Sequence, residues 1–170
     1  MDPRVPAQGW HVPGWTLAQR MEMMRAVVRW RGWRVLRRPR WLGWVSPRTT
    51  VCIHPLRLMV TRRDVDLLDG EDTVAEAVLL AHETCHVIQG RGSRLLWTLR
   101  YVFSAGFRRA VEEEAFAHGQ ALALVLGVRW RYKDPAVLSP KYLLRRDEST
   151  AARVLARAQH LLESAQEVSP

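Results

Sequence analysis

Apolar residues recur at helical spacing through Val74, Ala77, Val78, Ala81 and Cys85, and this stripe predicts a buried amphipathic helix. Its start is marked by Thr73-Val74-Ala75-Glu76, a capping box with Asp72 just ahead of it, and Gly90 offers a left-handed stop. The same periodicity predicts a helix over 16–36, with Leu17, Met21, Met24, Val27, Val28 and Trp30 facing a core. A third helix, capped by Ser93, runs through Leu95, Leu96, Leu99, Val102 and Phe103, with Trp97 and Tyr101 one turn apart, and is expected to roof the functional site. Another covers 111–126. A last one starts near Ser149 and is expected to bury Ala152, Leu155, Ala158 and Leu162. Between the first two helices, Thr49-Thr50-Val51-Cys52-Ile53 and Leu58-Met59-Val60 are short β-type runs parted by His54-Pro55, enough for a small sheet. The expected class is α+β, mainly helical.

Composition sets the scale of what these elements can build. A chain of 170 residues with 48% hydrophobic content supports one compact domain and excludes disorder over most of its length. Within it, residues 1–48 form a basic, Trp/Arg-rich segment, and residues 49–170 carry the remaining elements. The formal charge is +9. Up to Arg48 only Asp2 and Glu22 are acidic, while Trp10, Trp15, Trp30, Trp33, Trp41 and Trp44 alternate with arginines from Arg20 to Arg40. Indoles interleaved with guanidinium groups suit an anionic surface, either a phospholipid interface or a nucleic acid, and equally suit a helix that packs its apolar side on the core. Two cysteines, Cys52 and Cys85, do not make a disulfide scaffold, so a reducing cytoplasm is expected. The first residues are too polar and too interrupted by Pro and Gly for a secretory signal. The longest charge-free apolar stretch, 115–128, is too short to cross a bilayer.

Chemistry is stated by one stretch, His82-Glu83-Thr84-Cys85-His86. Residues four apart stack on one helix face, so two imidazoles can meet one metal ion while Glu83 reaches the water that completes its coordination. A buried helix must also satisfy such polar groups, and a metal does so for all of them. Two histidines do not hold a catalytic zinc, which needs a third protein ligand and one open position. Candidates lie in Glu112-Glu113-Glu114-Ala115-Phe116-Ala117-His118. Glu112 with Ala115 and Glu114 with Ala117 both read Glu-x-x-Ala, both lie on plausible inward stripes, and periodicity does not choose between them. An acidic turn on a helix is the ordinary explanation for the glutamates that bind no metal. Cys85 points away from the metal-facing side and reads as a small core residue.

The His-Glu-x-x-His helix, followed by an aromatic-rich helix and a Glu-x-x-Ala helix, resembles the gluzincin class of zinc metallopeptidases. It is similar in particular to small bacterial zincin-like domains in which a Gln follows the first motif, as Gln89 does here. The resemblance covers about 51–128. It implies a minimal zincin-like fold, Zn2+ on His82, His86 and Glu112, a small Ala115 that lets the second helix sit close to the first, and a sheet edge on which an extended peptide or protein substrate is laid. In related peptidases an Asp supporting a ligand histidine often stands where His118 falls if Glu114 is the ligand.

A zinc ion would lower the pKa of its bound water toward ~7, with Glu83 as the general base that takes the proton and then returns it to the leaving amine. An oxyanion donor besides the metal would come from Tyr101, Arg109 or His118, none of them fixed by spacing. Tyr142 and Arg145, in a Pro-punctuated loop, are further groups placed near the cleft. The expectation is a zinc-dependent metallopeptidase. The reading from a different class is a catalytically silent, zinc-stabilised adaptor whose basic segment holds an anionic membrane or nucleic acid.

Overall fold

The computed structural model describes residues 9–37, 50–61, 67–69, 72–90, 92–128 and 148–167. Helix α1 (Leu17–Trp30) opens on a capping box in which Thr16 accepts from the Gln19 amide and the Gln19 side chain accepts from the Thr16 N–H. It ends six residues before the expected boundary at 36. Trp33 N–H bonds back to the Val28 carbonyl and Gly32 N–H to that of Arg29, a Schellman closure with Gly32 at φ 69°. The chain beyond it becomes strand β1 (Arg34–Arg37), paired along its length with Leu58–Thr61.

Strands β2 (Val51–Ile53) and β3 (Leu58–Thr61) fall on the two β-type runs. A 3-10 turn, His54–Leu56, joins them. The three-stranded sheet has the order β1-β3-β2, with β1 parallel and β2 antiparallel to β3. Cys52 lies opposite Met59, whose side chain is fully buried.

Helix α2 (Val74–Gln89) carries the motif and is capped by Thr73, whose hydroxyl accepts from the Glu76 amide. Gly90 does not stop it in the expected left-handed conformation, since its φ is −71°. Glycine is required there for another reason: a Cβ would collide with the imidazole of His54, which is packed against that point of the backbone. Helix α3 (Arg94–Phe103) is capped by Ser93. Helix α4 (Ala105–Val125) begins well before the expected residue 111, because Ser104 closes α3 and its hydroxyl also caps α4 through the Phe107 amide. Arg108 fastens this corner by donating to the carbonyls of Tyr101 and Val102. The mainly helical α+β class is as expected.

The core lies where α1, the sheet, α2 and α4 meet, around Met21, Met24, Met59, Leu80 and Leu122. Helices α2 and α4 approach closely at Gly119, where a Cβ would stand 3.2 Å from the Val78 carbonyl oxygen. Helix α5 (Glu148–Glu167) packs on α4 through Val154 and Ala158, with Ala165 also buried. Of the stripe expected to be buried, Ala158 alone is fully so; Ala152 and Leu155 are exposed and Leu162 is half-buried, because the helix is turned toward the Thr150–Val154 side.

Much of the Trp/Arg-rich segment serves this packing. Trp10 and Trp33 are buried, although Trp30, expected in the core, stands out in solvent at the exposed end of α1. Arg20 donates to the carbonyls of Trp10, Val12 and Trp15. Arg25 reaches the Leu67 carbonyl and pairs with Asp72 at 2.9 Å, tying α1 to the start of the motif helix. Trp41 and Trp44 lie outside the described residues, as does Thr49. No helix among the described residues is long and apolar enough to cross a membrane.

Candidate metal centre

His82, Glu83 and His86 follow from the pitch of α2, which puts the two imidazoles on the face turned toward α4. Opposite them stands Glu112, 3% exposed. The three glutamates have separate partners: Glu113 pairs with Arg153 at 2.7 Å, Glu114 accepts from the Gln89 amide, and Glu112 meets the histidines. His82 Nε2 is 3.7 Å from Glu112 Oε2, His86 Nε2 is 3.7 Å from Glu112 Oε1, and the two Nε2 atoms are 3.1 Å apart.

These separations fit a metal. Ligand atoms about 2.0–2.2 Å from a tetrahedral zinc stand ~3.3–3.6 Å from one another, and two nitrogens with a carboxylate are an ordinary zinc donor set. Ring orientation fits as well. Gln89 Nε2 faces two acceptors, the Val111 carbonyl and Glu114, which fixes its amide so that Oε1 faces His86 Nδ1 at 2.8 Å. In neutral His86 the proton is therefore on Nδ1 and the Nε2 lone pair points at Glu112 and His82. His82 is held by a hydrogen bond to the Ala115 backbone and by the Phe116 ring, 4.5 Å between centroids. Glu112 accepts from the Tyr101 hydroxyl.

The electrostatics of the metal-free cluster follow from burying these groups together. Burial lowers the affinity of both imidazoles for a proton. For His86 this is outweighed by the carboxylates of Glu112 and Glu83, which raise it to about 9. His82 is driven down to about 3 by burial and by the charge on His86. Burial favours the neutral form of Glu112, but the two imidazoles and Tyr101 overcome it and hold the carboxyl well below the usual range. The proton on His86 thus gives this buried cluster its positive charge. Burial also pushes Glu83 up to about 7, against the pull of His86 and of the Cys52 thiol.

Cys52 was not singled out in the sequence for this role. Its Sγ donates to Glu83 Oε2 at 3.2 Å from strand β2, a contact across 31 positions that no local pattern announces. His54, which parts the two β-type runs, is in the 3-10 turn and buried, stacked on Trp97 with ring centroids 3.7 Å apart. Trp97 stacks in turn on Tyr101, so aromatic rings connect the sheet to the Glu112 hydrogen bond.

Of the expected oxyanion donors, Tyr101 is engaged with Glu112, and among the described residues Arg109 makes no hydrogen bond or ion pair with the three candidate ligands. His118 does not support a ligand histidine; its Nδ1 is 3.0 Å from His11 Nε2. Tyr142 and Arg145 fall outside the described residues. A second grouping of potential ligand atoms, Cys85, Glu114 and His118, lies on the same two helices. No family model, no curated protein and no solved structure matches this chain.

Proposed function

We propose that the protein is a zinc-dependent metallopeptidase with His82, His86 and Glu112 as ligands and Glu83 as general base. The observation that carries this reading is the convergence of two imidazole nitrogens and one carboxylate at ligand-to-ligand distances, with a buried carboxyl one residue away held near neutrality. When bound, the ion would supply Lewis acidity and an acidified water.

The chain's own residues do the rest. A carboxyl at about 7 is matched to accepting a proton near neutral pH and giving it back within one turnover. Gln89 and the Ala115 backbone orient the imidazoles, and Tyr101 orients Glu112. The Cys52 thiol steadies Glu83 from strand β2. That strand is at the edge of the sheet among the described residues, so an extended peptide paired with it would pass beside Glu83. The choice of peptide over another amide rests on this edge and on the resemblance to gluzincins. Two free thiols fit a reducing compartment such as the cytoplasm.

Replacing Glu83 by Gln tests the reading directly. Wild-type protein should bind one equivalent of zinc and cleave an unfolded protein substrate. Glu83→Gln should keep the zinc and lose about 10²–10⁴-fold in kcat. A protein that binds zinc, cleaves no peptide and keeps its cellular role with Gln at this position is the adaptor instead.

A further inference from the structure

Helix α3 has its apolar side on the outside. Of the ten large hydrophobic side chains exposed among the described residues, five are Leu95, Leu96, Leu99, Val102 and Phe103, and Phe103 is 81% exposed. None of the ten residues of α3 is buried. Its inward side is made by the half-buried aromatic residues Trp97 and Tyr101. The 3-10 turn on which α3 packs adds Leu56, also exposed. Such a concentration on one ten-residue helix is a contact surface, not scattered apolar exposure.

Charge selects its occupant. Between Glu83 and Glu112 there is no acidic residue, while Arg91, Arg94, Arg100 and Arg109 fall in that interval beside the inward-turned Arg108. Arg100 lies in solvent on α3 itself, and the whole chain carries +9. A second copy docked face to face would set Arg100 against its own equivalent, with +9 on each chain, which opposes self-association. Large aliphatic and aromatic side chains that project from one helix, with cationic side chains around them, match an anionic lipid surface: the apolar groups enter the acyl boundary and guanidinium groups meet phosphate. We infer that the outer face of α3 is a membrane-docking surface for anionic phospholipid. This goes beyond the proposed catalysis and does not depend on it.

The test is co-sedimentation of the full chain with vesicles of equal parts phosphatidylglycerol and phosphatidylcholine, and with phosphatidylcholine alone. Wild-type protein should partition onto the mixed vesicles at least about tenfold better than onto the neutral ones. The double variant Leu99→Ser, Phe103→Ser should lose about tenfold or more of that partition. Its helical circular dichroism should be unchanged, because both side chains already stand in water. Arg94→Gln with Arg100→Gln should lower binding to the mixed vesicles alone. Wild-type protein that ignores both vesicles overturns the inference. So does a serine variant that binds as well as wild type, which would place lipid contact elsewhere, or a wild-type dimer that the serine variant dissolves, which would make a second copy the occupant. Zinc content and peptide hydrolysis in solution, measured on the same preparations, report the catalytic reading separately.

Discussion

The α2–α4 seam holds two groupings of potential metal ligands, and they differ in what their polar atoms face. In His82–His86–Glu112 the nitrogens and oxygens face one another, and the outer atoms of each side chain are held by Gln89, the Ala115 backbone and Tyr101. In Cys85–Glu114–His118 two of the polar atoms already face other partners: His118 Nδ1 meets His11, and Glu114 Oε2 accepts from the Gln89 side chain. Burial raises the Cys85 thiol well above its ordinary value, and burial followed by the Arg157 charge lowers the proton affinity of His118. Proximity of ligand-type residues is therefore a weaker criterion than convergent lone pairs held in place from behind. The second grouping docks the Trp10–His11 segment on α4, with the His11 and His118 rings stacked at 5.2 Å.

The sharpest way to break this contrast is to remove one ligand from the first grouping. His86→Ala should abolish stoichiometric zinc binding, measured by metal analysis after gel filtration; one equivalent retained would move the metal elsewhere. The next effect is that of pH. Zinc must displace the proton that the metal-free protein keeps on His86, so apparent affinity should rise about tenfold per pH unit below about 9, roughly 100-fold from pH 6 to 8. Above about pH 7 the stability of the metal-free protein should run the other way. A histidine raised from 6.5 to about 9 stabilises the fold fully below 6.5, and this is lost as pH climbs through 9. Glu83, raised from 4.5 to about 7, has the same sign, since its buried carboxyl must ionise as pH rises through that window. His11, His54, His82 and His118, held down by burial, have the opposite sign and act below about 6.5, so metal-free Tm should rise from pH 5 toward 7 and fall from 7 to 9, and saturating zinc should flatten that fall.

Gln89→Leu comes third. It frees His86 Nδ1 from its acceptor, and competition with a chelator should show zinc affinity about 10–100-fold weaker. The smallest effect belongs to the other grouping. Cys85→Ser should leave zinc stoichiometry and affinity as they are, and a variant that lost its metal would merge the two clusters into one centre.

What the sequence makes legible here is what neighbouring residues determine. The Thr73 cap, the pitch that pairs His82 with His86, and the Ser93 cap are short-range signals, and each stands where the sequence places it. Strand β1 is missed because helical spacing through Val27, Val28 and Trp30 continues past a glycine whose turn depends on Arg57, whose guanidinium lies 2.8 Å from where a Gly32 Cβ would be. Three consecutive glutamates lie on different faces of α4, and their roles are decided by residues from three other helices, Tyr101, Arg153 and Gln89. Helix α3 teaches the most. Its periodicity correctly separates an apolar side from an aromatic and polar one, yet periodicity reports only that two sides differ. Which of them meets the protein is set by His54, forty-three positions before Trp97 in the chain.

Ser104 deserves a last consequence. With one residue serving as the end of α3 and the beginning of α4, and Arg108 bolted across the angle, the two rods share a corner without slack. A displacement of the first rod would therefore be felt at the Tyr101 hydroxyl and, two turns down the second rod, at the carboxylate to which it donates.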